Sequence, residues 1–305
     1  MLKIVFALFI LSATTAMAFD LQGHRGARGL EPENTLPSFA RAIAAGASTL
    51  ELDVGISADG AIVVAHDRRL NPEITRDASG AWIAAPGPRL RDLSLAEIKR
   101  FDVGVIRQDT AYARSFAGQG ARPGTAMPTL AEVVALAGAA RPRFNIETKI
   151  SPLAPDDTRA APDFARAVIA EIRRLGIADR TTLQSFDWRT LALVRRRAPG
   201  VATAALSAQR PDFDTVASGA WTAGLDLAAH GGSVPRLVQS LGAPIWSPNF
   251  RDLTPERLAE ARALGLRVIP WTVNDPADIE RLMAWGVDGL ISDDPALVLR
   301  VLKSR

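Results

Sequence analysis

The chain contains no cysteine. That absence excludes thiolate catalysis, thiolate metal sites and disulfides in a single stroke. Histidine is scarce as well, three in 305 residues, so proton transfer near neutral pH has few places to reside. No excess of one charge is present either: 36 basic against 33 acidic residues leave a net +3. The one dense basic run, Arg195-Arg196-Arg197, reads as the solvent face of a helix. A nucleic-acid partner calls for a broader basic stripe with interleaved aromatics, and none is expected here. The mild positive balance suits an anionic small substrate. Solenoid-length repeats and low-complexity segments are also missing.

The N-terminus reads as a leader. Lys3 precedes the apolar run Ile4 to Leu11, and Ala16-Met17-Ala18 supplies small residues at a cleavage position. A membrane-spanning helix needs about 20 apolar residues, and this run is shorter. The expected organisation is a signal peptide over residues 1–18 and a single domain over 19–305. The mature protein would be periplasmic or secreted, with no stable membrane insertion once the leader is removed.

From Phe19 onward, short apolar runs alternate with helical stretches. A strand over Phe19 to Gln22 enters the glycine-bracketed turn Gly23-His24-Arg25-Gly26. Pro32-Glu33-Asn34-Thr35 follows, with Asn34 or Thr35 placed to cap a helix through Ile43. The run Ser48 to Val54 alternates polar and apolar residues, which puts Glu51 and Asp53 on one strand face. Asp59-Gly60 is a hairpin turn, after which Ala61 to Asp67 returns as a strand carrying His66. Residues 68–127 break the rhythm with Pro, Gly, Arg and Asp, and read as a small irregular insertion over one barrel mouth. One candidate helix lies around Leu95 to Phe101. The alternation resumes at Pro128 and runs to the C-terminus, with strands expected at Arg143 to Lys149, Thr181 to Phe186, Val201 to Leu206, Pro244 to Ser247, Arg267 to Val273 and Asp288 to Ser292. About eight strands, each leading into a helix, point to an α/β protein: a (βα)₈ TIM barrel with a small insertion after the second strand.

In such barrels the strand C-termini share one mouth. Glu51, Asp53 and Glu147 would meet there. At about 4 Å and an effective dielectric near 20, each carboxylate pair repels by about 4 kcal/mol. A hard divalent cation, Mg²⁺ or Ca²⁺, removes that conflict with all-oxygen ligation; a structural salt-bridge cluster closing the barrel top is the competing reading. Lys149 shares the face of Glu147 and can offset charge there or on a bound phosphate. His24 and His66 end strands at the same mouth, as a proton donor and acceptor pair or as hydrogen-bonded rim residues. His230 lies in a loop-like context and reads as structural or exposed. Arg25 presents a planar fork suited to phosphate oxygens, or to a salt bridge with Glu33. Trp271 is placed to pack against a substrate's carbon skeleton.

Taken together, His24-Arg25-Gly26 with Pro32-Glu33-Asn34-Thr35, Glu51-Leu52-Asp53-Val54, Asp59-Gly60 and His66-Asp67 resemble the glycerophosphodiester phosphodiesterase family. Asn145-Ile146-Glu147-Thr148-Lys149, Gln184-Ser185-Phe186, Trp271-Thr272-Val273-Asn274 and Gly286-Val287-Asp288-Gly289 continue the likeness in order along the chain. The resemblance implies a TIM barrel, a divalent metal on Glu51, Asp53 and Glu147, His24 and His66 as acid and base, and phosphate contacts from Arg25 and Lys149. The expected reaction is hydrolysis of a small-molecule glycerophosphodiester to glycerol 3-phosphate and an alcohol. Two other functions compete: a metal-free glycosidase using two of the carboxylates, and a non-catalytic phosphoglycerol-binding module.

Overall fold

The computed structural model describes residues 19–304. The expected leader over 1–18 lies outside them. β1 (Asp20–Gly23) is buried along its length and feeds α1 (Leu36–Ala44). Thr35 caps that helix, its hydroxyl accepting from Ser38 N, and Pro37 occupies the first turn, where a missing N–H is tolerated. β2 (Thr49–Ile56) and β3 (Ile62–Val64) form an antiparallel hairpin across Asp59-Gly60. The short helices α2 (Leu95–Ile98) and α3 (Ala111–Ser115) lie in the stretch that follows. Alternation resumes with α4 (Leu130–Ala137), whose Thr129 and Glu132 make a reciprocal capping box. Then come β4 (Arg143–Thr148), α5 (Ala161–Arg174), β5 (Thr181–Ser185), α6 (Trp188–Arg197) and β6 (Ala202–Ser207). A two-stranded ribbon of β7 (Gln209–Arg210) and β8 (Phe213–Asp214) precedes α7 (Val234–Leu241). The chain ends with β9 (Ile245–Pro248), α8 (Pro255–Ala263), β10 (Arg267–Val268), α9 (Pro276–Trp285), β11 (Gly289–Ser292) and α10 (Pro295–Lys303).

Eight strands pair in parallel in the order β10-β9-β6-β5-β4-β2-β1-β11. The first and last in sequence are neighbours, Asp20 opposite Gly289 and Gly23 opposite Ser292. At the other seam, Ile291 N donates to Pro270 O (3.0 Å) and Val273 N to Ile291 O (2.9 Å), joining the two ends of the path. The result is the expected (βα)₈ barrel. Its outer layer is one apolar core in which Phe39, Phe144, Phe164, Trp188 and Trp246 are fully buried between strands and helices.

Three local expectations change. β3 pairs antiparallel to β2 and lies off the barrel path, so His66 sits in the loop beyond its end rather than closing a strand. β10 stops at Val268 instead of reaching Val273, because Pro270 has no N–H for the ladder. The ribbon β7–β8 arises in a region whose sequence carries no strand periodicity. Between β3 and α4, the chain builds a small second core from Val63, Leu70, Leu90, Ile98, Val103 and Met127. That unit is tied to the mouth by Arg122, whose Nε and Nη2 donate to Glu31 at 2.7 and 2.6 Å. No helix among the described residues is long and apolar enough to cross a membrane.

Candidate active site

Strand alternation places Glu51 and Asp53 on the inner face of β2, and the β2–β4 register puts Asn145 opposite Glu51 and Glu147 opposite Asp53. Carboxylate oxygens from Glu51, Asp53 and Glu147 lie within 4.8 Å of one another, and all three side chains are buried. The turn after β1 brings cations to this cluster. Arg25 has φ 49° and Gly26 φ 88°. A Cβ on Gly26 would meet Ser38 Oγ at 2.5 Å, so only glycine permits this close approach. Arg25 then donates its backbone N–H to Glu51 Oε2 (2.8 Å), sets Nε 3.2 Å from Asp53 Oδ2, and bonds both oxygens of Glu33 through Nη1 (2.9 Å each). Lys149 Nζ donates to Glu147 Oε1 (2.6 Å) and lies 3.5 Å from Asp53 Oδ1. Gln184 Nε2 donates to Glu51 Oε1 (2.7 Å) and Asn34 Nδ2 to Asp53 Oδ2 (2.8 Å).

Two cations for three clustered carboxylates leave the trio incompletely balanced. Burial, reinforced by the charges of Asp53 and Glu147, pushes the Glu51 carboxyl well above its ordinary range. Burial likewise lifts Glu147 to about 7 against the opposing pull of Lys149. At Asp53 burial is outweighed by Lys149 and Arg25, which hold that carboxyl well below the usual range. Asp53 Oδ1 is buried and accepts no hydrogen bond. An orphaned carboxylate oxygen among three hard oxygen donors fits a hard divalent cation and not a soft one.

His24 follows β1 and His66 follows β3, and both line a cavity of about 180 Å³ together with Arg25, Glu51, Glu147 and Lys149. Each ring is held through Nδ1 by a carboxylate: His24 by Asp293 Oδ1 (2.7 Å), His66 by Asp67 Oδ1 (2.9 Å). A carboxylate accepts the Nδ1 proton and leaves Nε2 as the lone-pair nitrogen. Burial, aided by Arg28, lowers His24 to about 4. Burial with Arg25 and Lys149 also lowers His66. Both shifts favour the neutral imidazole at pH 7.

All eight residues singled out from the sequence reach this mouth, though Arg25 is held differently from a simple phosphate grip. The fork of Arg25 is occupied by Glu33 and Asp53, as its salt-bridge reading anticipated. Trp271 lines the cavity with its indole N–H fixed on Ser247 O (2.9 Å). His230 is away from the site, its ring nitrogens bonded to Asp226 O (2.7 Å) and Ser240 Oγ (2.8 Å). Sequence reasoning missed Asp293, Arg28 and Tyr112. Asp293 gathers His24, Arg28 (Nε 2.9 Å, Nη2 3.1 Å) and Asn274 (2.6 Å). It directly follows the last strand, so the rule that flagged the other strand-end acids would have found it. Tyr112, from α3, donates its hydroxyl to Glu33. No local pattern announces that contact.

The glycerophosphoryl diester phosphodiesterase family model matches residues 24–297. The glycerophosphodiester phosphodiesterase of Caldanaerobacter subterraneus is 29% identical over 280 residues, covering 92% of this chain and 96% of that protein. A Bacillus subtilis glycerophosphodiester phosphodiesterase is 29% identical over 290 residues, covering 92% of this chain and 85% of its own. The crystal structure of a putative glycerophosphoryl diester phosphodiesterase from Silicibacter pomeroyi superposes with a TM-score of 0.85 at 39% identity, covering 94% of each chain. An Oleispira antarctica phosphodiesterase, solved with the product sn-glycerol-3-phosphate, shares the fold with a TM-score of 0.69 at 21% identity over 93% of this chain and 96% of that one.

Proposed function

The chain belongs to the glycerophosphoryl diester phosphodiesterase family and is a glycerophosphodiester hydrolase; from that premise, we propose that Glu51, Asp53 and Glu147 hold a divalent cation while His24 and His66 move the protons. The glycosidase and binding-module readings fall with the family assignment. The observation that carries the proposal is the orphaned Asp53 oxygen in a buried acidic trio, flanked by two imidazoles that carboxylates orient alike.

When bound, the cation supplies charge stabilisation to the phosphoryl oxygens. The chain's own groups do the rest. Lys149 reaches the cavity from the end of β4 and adds positive charge beside the phosphate. Arg25, locked by Glu33, contributes its field from a fixed position, so little reorganisation accompanies the reaction. One imidazole Nε2 takes the proton of the nucleophile, either water or the neighbouring glycerol hydroxyl, as the new P–O bond forms. The other, protonated next to the bound anion, gives its proton to the alcohol oxygen as the old P–O bond breaks. With water as nucleophile the products are glycerol 3-phosphate and the free alcohol; with the hydroxyl, a cyclic phosphate forms first and water opens it.

Glycerol 3-phosphate release before chelation, after chelation, and after adding back Mg²⁺ or Ca²⁺ separately tests the cation. We expect activity to vanish and return, and full turnover by the metal-free protein overturns the proposal. The leader over residues 1–18 makes the enzyme periplasmic or secreted in this reading. A protein found in the cytoplasm with those residues intact would refute that placement.

A further inference from the structure

A second cavity of about 510 Å³ opens directly from the catalytic one, sharing His66, Glu147, Lys149, Phe186 and Trp271. Because the two cavities share that wall, a group attached to a phosphate held in the first can extend into the second. Its wall is aromatic. Phe186 is the hub: the Trp271 ring stands at 86° to it with centroids 5.3 Å apart, and the Phe213 ring at 73° and 5.2 Å. Trp221 is set at 78° and 6.0 Å to Phe213. These edge-to-face rings form a corner, and all four aromatic side chains line the one volume.

The corner is built rather than incidental. Trp271 is pinned by its indole hydrogen bond to Ser247 O. Phe213 comes from the β7–β8 ribbon, which Gln209 N anchors on Asp252 Oδ2 (2.8 Å). Phe213 is nonetheless 37% exposed, one of three large hydrophobic side chains left exposed among the described residues. The charges on the same rim are already paired. Arg210 lies 3.4 Å from Asp212, Arg68 lies 3.6 Å from Asp157, and Asp67 holds His66. A leaving group there meets aromatic side chains, and the carboxylates on the same wall, Asp67, Glu147 and Asp212, are already engaged by His66, Lys149 and Arg210.

We propose that this corner receives a quaternary ammonium head group, so that the preferred substrate is a trimethylammonium-bearing glycerophosphodiester. The inference rests on the hydrolytic reading above and names the alcohol. A trimethylammonium is weakly hydrated and has no N–H to satisfy, so ring faces serve it well; a primary ammonium loses hydrogen bonds to water that ring faces do not replace. Phe213 is the specificity-determining residue, and the ribbon that carries it sets the preference.

The test compares kcat/KM for glycerophosphocholine and glycerophosphoethanolamine, which differ by three N-methyl groups, in the wild type, Phe213→Ala and Phe213→Tyr. Saturable quenching of tryptophan fluorescence by choline chloride is measured on the same proteins. The wild type is expected to favour the choline ester about tenfold. Phe213→Ala should bring that ratio close to one and weaken choline binding about tenfold, while Phe213→Tyr, which keeps the ring, retains both. A wild type that turns over the two esters equally, or a Phe213→Ala loss shared equally by both, overturns the assignment. Folded protein that binds choline in a Phe213-dependent way but hydrolyses neither ester supports the corner and overturns the hydrolytic reading instead.

Discussion

Asp293→Asn is the substitution that most directly probes the His24 half of the site. The carboxylate takes four donated hydrogen bonds, from His24 Nδ1, Arg28 Nε and Nη2, and Asn274 Nδ2. Burial opposes its charge, but His24 and Arg28 outweigh that and hold the carboxyl far below its usual range. An asparagine has the same shape and one acceptor oxygen in place of two. Arg28 and Asn274 then compete for that oxygen, and the amide NH₂ is left facing His24 Nδ1. The imidazole answers by shifting its proton to Nε2, the nitrogen that faces the substrate in the proposed mechanism, which leaves Nδ1 without the carboxylate that supports an imidazolium. The equivalent tautomer switch in a serine-protease triad lowers kcat about 10⁴-fold, and a loss of about 10²- to 10⁴-fold is expected here. Stability should fall as well. Losing charge-assisted bonds at a buried position amounts to about 2 kcal/mol, because Arg28 keeps Phe116 beneath its guanidinium at 4.6 Å and Glu33 at 3.7 Å. Steady-state kinetics against pH, beside urea denaturation of the same sample, separates the two effects. A folded Asp293→Asn protein with kcat within threefold of wild type would refute the reasoning, since His24 would then need neither the carboxylate nor the tautomer it enforces.

Tyr112→Phe removes the hydroxyl that α3 lends to Glu33 while keeping the ring against Phe116, 4.8 Å away between centroids. A hydrogen bond to a charged group is worth about 1.5–3 kcal/mol, divided between stability and the hold on Arg25; a lower urea midpoint together with reduced kcat/KM is expected, and no change in either contradicts the contact. The stability of the metal-free protein should also depend on His24. Its folded pKa of about 4 lies below the ordinary 6.5, so the unfolded chain binds that proton first, and the contribution of His24 to stability falls by about 3 kcal/mol as pH drops from 6.5 to 4. Glu147, raised to about 7, contributes with the opposite sign in the same window, so the check is the difference between urea titrations of wild type and His24→Gln; a difference that does not change with pH would show that His24 is not responsible.

Much of the barrel was legible because it is written in local terms. Alternation placed Glu51 beside Asp53, apolar runs marked the strands, and caps such as Thr35 and Thr129 marked helix starts. The strand-end rule then gathered carboxylates from β2 and β4 at one mouth. What could not be read is of two kinds. Strand ends are one kind: the hairpin at Asp59-Gly60 was legible, but β3 ending at Val64 short of His66 was not, and the ladder stop that Pro270 imposes on β10 went unread. Contacts between distant segments leave no local trace: the strand-end rule marks Asp293 as an acid at the mouth, but nothing local pairs it with His24 across 269 positions, and nothing local pairs Tyr112 with Glu33. The aromatic corner belongs to this class too, since β7 and β8 are two residues each.

The seam between β1 and β11 joins the two ends of the described chain, with Gly23 opposite Ser292. His24 and Asp293 are the residues immediately after those partners, so the imidazole acquires its carboxylate only when the final strand zips against the first. A chain still emerging from the ribosome carries the acidic trio well before it carries that pairing. In the proposed mechanism His24 is therefore oriented only once the ring is complete, and an interrupted polypeptide lacking β11 has no carboxylate on that imidazole however much of the remainder has folded.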